Sequence, residues 1–228
     1  NAKMRLKAEV EKRKNNTSKI RATADLAKSR LVAQGCQEDT RHIRGDSPTA
    51  PLPRFHLVCS VSALMRWVIG SADGVTAYLQ ANGIDRLLIL ACPNPPPPGC
   101  KLDDLFVANR SIYGTKDAGG AWWKWLRECL LKSGFVESDF GRCLFLLFDS
   151  GILACILDSH VDDLFYVADR DNATFKKSFA IFVTLIDLTN HDMDVSFLAR
   201  RIWQDDSFNI HISQVESAAN IGEHNPLR

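Results

Sequence analysis

The chain has 228 residues, 46% of them hydrophobic, which is enough to bury the core of one compact domain or of two small ones. No apolar run approaches the roughly 20 residues that span a membrane, and the N-terminus lacks the apolar segment of a signal peptide, so we expect a soluble intracellular protein. Seven scattered cysteines without a Cys-x-x-Cys pair argue against a disulfide framework.

The N-terminal part is basic, although the net charge of the chain is only +1, because residues 1–44 hold 12 Lys and Arg against 5 Asp and Glu. Such an arm is typical of polyanion binding or of a solvated helix. Charged helix-forming residues predict an exposed helix over 2–14. A strand over 27–33 would put Lys28 and Arg30 on one face.

The middle of the chain alternates loops with regular elements. We interpret residues 56–70 as a buried helix that leads into a strand, and the proline run at 92–100 as a stiff loop. Residues 111–120 form a glycine-rich turn that leads into a helix. From Arg142 the pattern predicts strand, turn, strand, a corner at Asp162–Asp163 and a further strand.

The end of the chain predicts a helix with phenylalanines on one side and then a hairpin that turns at Asp205–Asp206. The second half therefore runs strand, helix, two or three strands, helix, strand. This order predicts an α+β fold in which helices lie on one face of an antiparallel sheet, the split βαβ (ferredoxin-like) pattern.

Two adjacent aspartates, Asp162 and Asp163, interrupt an apolar run. Crowded carboxylates near apolar walls repel each other and lose hydration, so both stay ionised only if a cation arrives. Asp73 also ends an apolar strand, and pairing of that strand with the hairpin would bring three carboxylates to one sheet edge. Such oxygen ligands select Mg²⁺ or Mn²⁺, and two ions roughly 4 Å apart can clamp a phosphoryl displacement. The alternative is an ordinary acidic turn, since Asp-Asp also occurs at 103–104 and 205–206.

Six short segments stand out along the chain. They are Ser29-Arg-Leu-Val-Ala-Gln-Gly35, Asp73-Gly-Val-Thr-Ala-Tyr-Leu79, Ile112-Tyr-Gly-Thr-Lys-Asp-Ala-Gly119, His160-Val-Asp-Asp163, Ser196-Phe-Leu-Ala-Arg-Arg-Ile202 and Ile212-Ser-Gln214. In this order they resemble the landmarks of copia-type LTR retrotransposon reverse transcriptases. Each segment is weak evidence alone, but six in order over most of the chain are specific. The resemblance implies the interleaved fingers and palm of an RNA-directed DNA polymerase, with the split βαβ sheet as palm.

The resemblance also implies the roles of individual residues. Asp73 and Asp162, with Asp163 beside them, would be the catalytic residues and would bind two Mg²⁺ ions, with Mn²⁺ as the alternative. Tyr78 matches the aromatic gate that excludes the 2′-hydroxyl of a ribonucleotide by a steric clash, and a core tyrosine is the other interpretation.

The remaining implied contacts are to the nucleotide and the template. Lys28 and Arg30 would meet the triphosphate, although without the resemblance they would be interpreted as surface charges. Gly114 and Lys116 lie in the turn that would let the template strand and the nucleotide base approach closely. The tryptophans in 122–125 could stack on bases, but their helical spacing favours packing.

Four departures from the family pattern indicate a divergent member or a decaying genomic copy. Gly74 stands where the family has a β-branched residue, His160 where most members have tyrosine, and Ala199 where a hairpin has glycine. The pair Gly119–Gly120 stands where the family has a Pro-Arg or Ala-Arg type of pair, so the arginine cation near the template is missing.

We expect a basic arm or linker over 1–26, a reverse transcriptase domain over 27–214, with the palm mainly in 60–90 and 120–214, and a truncated tail over 215–228. The chain would then be a fragment of a Pol polyprotein. The implied partners are an RNA template, a DNA or RNA primer, deoxynucleoside triphosphates and the rest of Pol, without a membrane, in cytoplasmic virus-like particles or the nucleus. The rivals are a catalytically decayed nucleic-acid-binding remnant and an unrelated α+β protein in which Asp73 lies far from Asp162.

Overall fold

The computed structural model describes residues 2–10, 27–33, 35, 45, 47–84 and 86–219. The strands are β1 (Ala2–Val10), β2 (Ala27–Ala33), β3 (Val68–Gly74), β4 (Ile89–Ala91), β5 (Leu105–Val107), β6 (Val136–Glu137), β7 (Leu144–Asp149), β8 (Ile152–His160), β9 (Asp163–Ala168), β10 (Leu188–Asp192), β11 (Asp194–Phe197), β12 (Arg200–Gln204) and β13 (Ile210–Ser213). The helices are α1 (Leu52–Met65), α2 (Ala77–Gln80), α3 (Ala118–Lys132), α4 (Ala173–Leu185) and α5 (Val215–Ala219).

The strands form three sheets, and the fold mixes helices with largely antiparallel strand pairs. The sheet orders are β2-β1-β4-β5, β10-β3-β9-β8-β7-β6 and β11-β12-β13. Among the helices given above, none combines the length and the apolar character that crossing a bilayer requires.

Residues 2–10 form a strand, so the predicted helix over 2–14 is wrong there, and residues 11–14 lie outside the described residues. β1 pairs antiparallel with β2 and joins β4 in parallel through its first two residues. Apolar and charged residues alternate strictly along β1, which is the period of a strand. That alternation outweighs the helix propensity of its Lys and Glu residues. The strand predicted over 27–33 is confirmed as β2.

The central sheet of six strands is antiparallel throughout. Its strands β7, β8 and β9 follow one another through tight turns, as predicted. Ser150 and Gly151 both have positive φ, 51° and 84°, as a two-residue type I′ hairpin requires. β3 follows α1, which confirms the helix-to-strand interpretation, and lies between β9 and β10.

Helices cover both faces of this sheet, whereas the prediction put them on one face. On one face α3 and α4 pack around a core that includes Trp122, Leu126, Phe175 and Phe182. On the other face α1 and the β11–β12 hairpin form a second core, which includes Phe55. Because successive strand residues point to opposite faces, strands that serve two cores are continuous apolar runs.

A buried ion pair ties α1 to β8. Arg54 donates from Nε and Nη2 to the two carboxylate oxygens of Asp158, at 3.0 and 2.7 Å. The Asp158 side chain is fully buried, and that of Arg54 is 11% exposed. Burial raises the pKa of Asp158, while the guanidinium of Arg54 opposes that rise. The pair fixes α1 over the strand that leads to His160.

Two turns shape the β11–β12–β13 sheet. Leu198 and Ala199, between β11 and β12, have φ values of 51° and 56°. Two residues other than glycine therefore adopt the left-handed backbone conformation in this turn. The predicted turn at Asp205–Asp206 is confirmed, and Asp205 accepts backbone N–H groups of Ser207 and Asn209, both at 2.9 Å. The side chain and backbone of Asn209 contribute most to lowering the pKa of Asp205 to about 2. This Asp-Asp pair is therefore an ordinary structural turn.

Candidate active site

Three acidic residues meet at one edge of the central sheet. Asp73, near the end of β3, lies directly opposite Asp163, the first residue of β9. Asp162 precedes it in the β8–β9 turn, and its backbone carbonyl accepts the N–H of Gly74 at 3.1 Å. The predicted pairing of these strands is confirmed. The rival fold, with Asp73 far from Asp162, is excluded.

The carboxylates of Asp162 and Asp163 differ from those of the other Asp-Asp pairs. They accept no hydrogen bond from any residue that the structure describes, whereas Asp104 accepts one backbone N–H group and Asp205 accepts two. Burial, followed by the charges of Asp162 and Asp73, raises the pKa of Asp163 to about 6. The edge is therefore a crowded acidic set and not a turn held by its own hydrogen bonds.

The oxygen donors at this edge suit a hard divalent cation such as Mg²⁺ or Mn²⁺. Asp73 is exposed, and Asp162 and Asp163 are half-buried, so all three can be reached from solvent. Within the described part of the chain, no three His, Cys, Asp or Glu side chains are gathered closely enough to hold a metal ion. The backbone positions and the donor chemistry fit a cation, and the carboxylates would have to turn toward it.

The turn that carries Asp162 is strained. Val161 has a φ of 61°, a value that β-branched residues rarely adopt. Its carbonyl accepts the indole N–H of Trp122 at 2.7 Å, and Trp122 is completely buried. The helical spacing of the tryptophans in this helix predicts mainly packing, which the burial of Trp122 and Trp123 confirms. The hydrogen bond from Trp122 to Val161 has no signal in the sequence.

Tyr78 lies on α2, shortly after β3, and is half-buried at the margin of the α3–α4 core. Its ring centroid lies 4.7 Å from that of Tyr113, with the planes at 44°. Gln80 fixes this helix, donating to the carbonyls of Val75 and Asp187 at 2.5 and 2.9 Å. The sequence predicts neither Tyr113 nor Gln80 as a site residue, although Tyr113 lies within the segment from Ile112 to Gly119.

The loop 111–117, the first part of the glycine-rich segment 111–120, is joined to the end of β2. The N–H of Ala33 donates to the Tyr113 carbonyl at 2.7 Å, and that of Gly35 donates to the Gly114 carbonyl at 3.0 Å. Gly114 has a φ of 88°, and a Cβ there would lie 2.1 Å from the Ala33 oxygen. The chain's own backbone therefore requires this glycine. Its role in admitting template and nucleotide stays a prediction, as does that of the exposed Lys116.

Lys28 and Arg30 lie on β2, the strand that ends at this loop. As alternate strand residues they belong to one face, as predicted. They stand opposite Glu9 and Lys7 of β1 in the sheet register. Their side chains lie outside the described part of the structure, so their contact with a nucleotide stays a prediction.

A cavity of about 420 Å³ opens beside Asp163. It is lined by Ala50, Leu52, His160, Asp163, Leu198, Ala199 and Arg200. Nδ1 of His160 is buried and has no hydrogen-bond partner among the described residues. The β11–β12 turn, His160 and Asp163 therefore face one space, of the size that accommodates part of a ligand.

Comparisons with known proteins extend these observations. The family described as reverse transcriptase (RNA-dependent DNA polymerase) matches residues 7–226. The chain is 28% identical over 196 residues to the retrovirus-related Pol polyprotein from transposon RE2 of Arabidopsis thaliana, covering 82% of this chain and 13% of that protein. It is 30% identical over 144 residues to the corresponding polyprotein from transposon RE1 of that plant, covering 60% and 9%.

A yeast relative gives a similar result. The transposon Ty1-LR2 Gag-Pol polyprotein of Saccharomyces cerevisiae is 26% identical over 197 residues, covering 82% of this chain and 10% of that protein. The chain thus spans about a tenth of the length of the curated relatives that it matches.

Proposed function

The chain belongs to the reverse transcriptase (RNA-dependent DNA polymerase) family, in its copia-type branch, and from this premise we propose that its acidic edge catalyses RNA-directed DNA synthesis. The reaction would be a nucleotidyl transfer. The 3′-hydroxyl of a primer attacks the α-phosphorus of a deoxynucleoside triphosphate, a new P–O bond forms, and pyrophosphate leaves.

The register of β3 and β9 carries this proposal, because it sets Asp73 opposite Asp163, with Asp162 one residue away. Asp73 and Asp162, with Asp163 beside them, would hold two divalent cations. Such cations, when bound, lower the pKa of the attacking hydroxyl and neutralise the departing pyrophosphate. The raised pKa of Asp163 supports a cation here, since carboxylates that repel one another are stabilised by a positive charge among them.

The surrounding residues would contact the incoming nucleotide. Tyr78 would stand against the 2′ position of the sugar and exclude a hydroxyl there, with the ring of Tyr113 packed against it. Lys28, Arg30 and Lys116 would pair with the triphosphate oxygens. All five residues lie on α2, β2 or the loop 111–117. Ala33 and Gly35 join β2 to this loop, and the contact between Tyr78 and Tyr113 joins α2 to it.

In polymerase terms, the central sheet with α1, α3 and α4 would be the palm. The β2-β1-β4-β5 sheet and the loop that holds Gly114 would be the fingers, where the template strand approaches. The cavity between the β11–β12 turn and the acidic edge would face the end of the primer. The partners would be an RNA template, a DNA or RNA primer, deoxynucleoside triphosphates and the rest of a Pol polyprotein, in cytoplasmic particles or the nucleus.

Primer extension on an RNA template in the presence of Mg²⁺ tests the proposal. The variant Asp162→Asn removes one carboxylate from the acidic edge. Its matched control, Asp206→Asn, makes the same change in the exposed Asp-Asp turn between β12 and β13. We expect the unchanged chain and Asp206→Asn to extend the primer at similar rates, and Asp162→Asn to extend it no faster than the background.

RNA binding provides the second readout. If none of the three proteins extends a primer, but all bind RNA with an affinity that falls as salt rises, the polymerase proposal fails. A nucleic-acid-binding remnant of a retroelement then replaces it.

A further inference from the structure

Trp122 contacts both strands that carry the acidic edge. Its indole N–H donates to the carbonyl of Val161, the residue before Asp162, at 2.7 Å. Its ring also lies against Gly74, the residue after Asp73. A Cβ on this glycine would be 3.0 Å from Cζ2 and 3.1 Å from Cη2 of the indole.

The hydrogen bond to Val161 holds a backbone conformation that needs support. The φ of 61° at Val161 is unfavourable for a β-branched residue, so the turn relaxes unless its surroundings fix it. Two hydrogen bonds hold the turn. Trp122 donates to the Val161 carbonyl from α3, and Gly74 donates to the Asp162 carbonyl at 3.1 Å from β3. Trp122 is fully buried, so water cannot substitute for the indole donor.

The same contact explains the glycine after Asp73. A Cβ at Gly74 would make an unusually tight contact with the indole ring, so the ring would have to shift by a few tenths of an ångström. Glycine at position 74 therefore leaves room for the indole of Trp122.

We propose that Trp122 is a positioning residue for the cation-binding carboxylates. Its indole N–H fixes the turn at 161–162 and so determines where Asp162 and Asp163 stand relative to Asp73. The inference rests on the proposed function, because it takes the three carboxylates to bind divalent cations. Trp122 acts only through the turn and contacts neither the cation nor the substrate.

Trp123 provides a matched control one residue away. It is 8% exposed, and its indole N–H donates to the carbonyl of Arg142 at 3.1 Å. Trp123→Phe therefore removes the same donor from a similarly buried site on the same helix. The Arg142 carbonyl precedes β7 and lies outside the turn at 161–162.

The experiment is a titration of the full chain with Mn²⁺ alone, followed by electron paramagnetic resonance, for the unchanged protein, Trp122→Phe and Trp123→Phe. We expect Trp122→Phe to bind Mn²⁺ at least about tenfold more weakly, the effect of removing a group that orients metal ligands. Trp123→Phe should keep the original affinity. Thermal unfolding should show comparable losses in Tm for the two variants.

Primer extension adds a readout that a general packing defect would not change. For Trp122→Phe, the Mg²⁺ concentration at half-maximal rate should rise by the same factor as the Mn²⁺ dissociation constant, and high Mg²⁺ should restore the rate. If Trp122→Phe does not fold, 3-benzothienylalanine at position 122 replaces it, because this residue keeps the indole shape without the N–H donor.

Equal Mn²⁺ affinity in the unchanged chain and the position-122 variant would overturn the inference, as would the absence of Mn²⁺ binding to the unchanged chain. If the unchanged chain extends a primer while Trp122→Phe matches it in Mn²⁺ and Mg²⁺ dependence, the inference fails and the proposed function stands. If Mn²⁺ binding depends on Trp122 but no protein extends a primer, the positioning role stands and the polymerase proposal fails.

Discussion

Removing Arg54 should destabilise the protein strongly, because it leaves the Asp158 carboxylate buried without its partner. In Arg54→Leu two hydrogen bonds of 2.7 and 3.0 Å disappear from a carboxylate whose side chain is 0% exposed. Breaking a buried ion pair from one side costs about 3–5 kcal/mol. Because Arg54 is 11% exposed, we expect about 3 kcal/mol, measured by urea unfolding at pH 7.

The pH dependence of this loss gives its physical origin. Without the guanidinium, the largest effect that opposes burial is lost and only the weaker effects of the Ser159 backbone and of His160 remain, so the folded-state pKa of Asp158 should rise further. A raised carboxyl pKa means that ionisation destabilises the folded state. The deficit of Arg54→Leu should therefore be smaller at pH 5 than at pH 8.

An exposed ion pair in the same protein is the control. Arg201 and Asp194 also form two hydrogen bonds, at 2.6 and 2.9 Å, but their side chains are 54% and 53% exposed. Arg201→Leu should cost less than about 1 kcal/mol. Equal losses for the two arginine variants would refute the argument from burial. The double variant Arg54→Leu/Asp158→Leu should recover most of the stability, because no unpaired charge then remains.

Three further expectations concern the acidic edge, the β11–β12 turn and the thiols. The pKa of Asp163 is raised to about 6, so in metal-free buffer its ionised form destabilises the folded state. Asp163→Asn should therefore raise the free energy of unfolding by about 1–2 kcal/mol above pH 7, a value discounted for partial exposure. Near pH 4, where the carboxyl is protonated in the folded state, it should raise the free energy of unfolding by almost nothing. Urea unfolding at the two pH values, with and without Mg²⁺, checks this, and a gain of equal size at pH 4 would contradict it. Ala199→Gly should raise Tm by a few degrees, because glycine adopts the φ of 56° without strain, and a lower Tm in calorimetry would show that the turn is not strained. A maleimide should label the partly exposed Cys100 long before Cys155, which is fully buried and has a raised pKa, and peptide mapping that finds both labelled at one rate would contradict this order.

The part of the fold that the sequence predicts best is the run from α3 to β9. Apolar segments there are bounded by turn residues, such as Ser150 and Gly151 between β7 and β8. The convergence of Asp73 with Asp162 could also be predicted, because each residue follows an apolar strand segment. In an antiparallel pair, the last residues of one strand lie beside the first residues of the next, as Asp73 lies beside Asp163. Local pattern and topology agree in this region.

Other elements escaped prediction for identifiable reasons. The helix propensity of the Lys and Glu residues in β1 predicts a helix, whereas the strict alternation of apolar and charged residues predicts the strand that the structure has. β10, with the sequence LTNHD, is mostly exposed and has no apolar pattern, so only its pairing with β3 defines it. The sequence also does not indicate on which face of the sheet α1 packs, because the apolar residues of this helix do not form one distinct stripe.

The hydrogen bonds that hold the candidate site have almost no signal in the sequence. Trp122 and Val161 lie on a helix and in a turn that are distant along the chain, and the indole of Trp123 looks equivalent until its acceptor is known. Asp158 gave a partial signal, since an acidic residue in a buried strand requires a partner. Nothing identified Arg54 as that partner.

The position of β3 in the central sheet affects how the protein is made on the ribosome. β3 pairs only with β9 and β10 in that sheet, and both are translated after it. Until they emerge, its buried residues, such as Ile69 and Ala72, have no neighbouring strand to hydrogen-bond with. The segment from β6 to β9 can instead pair as it is synthesised, strand after strand. The two halves of the acidic edge are therefore joined only late in synthesis, when β9 and β10 have emerged and can pair with β3.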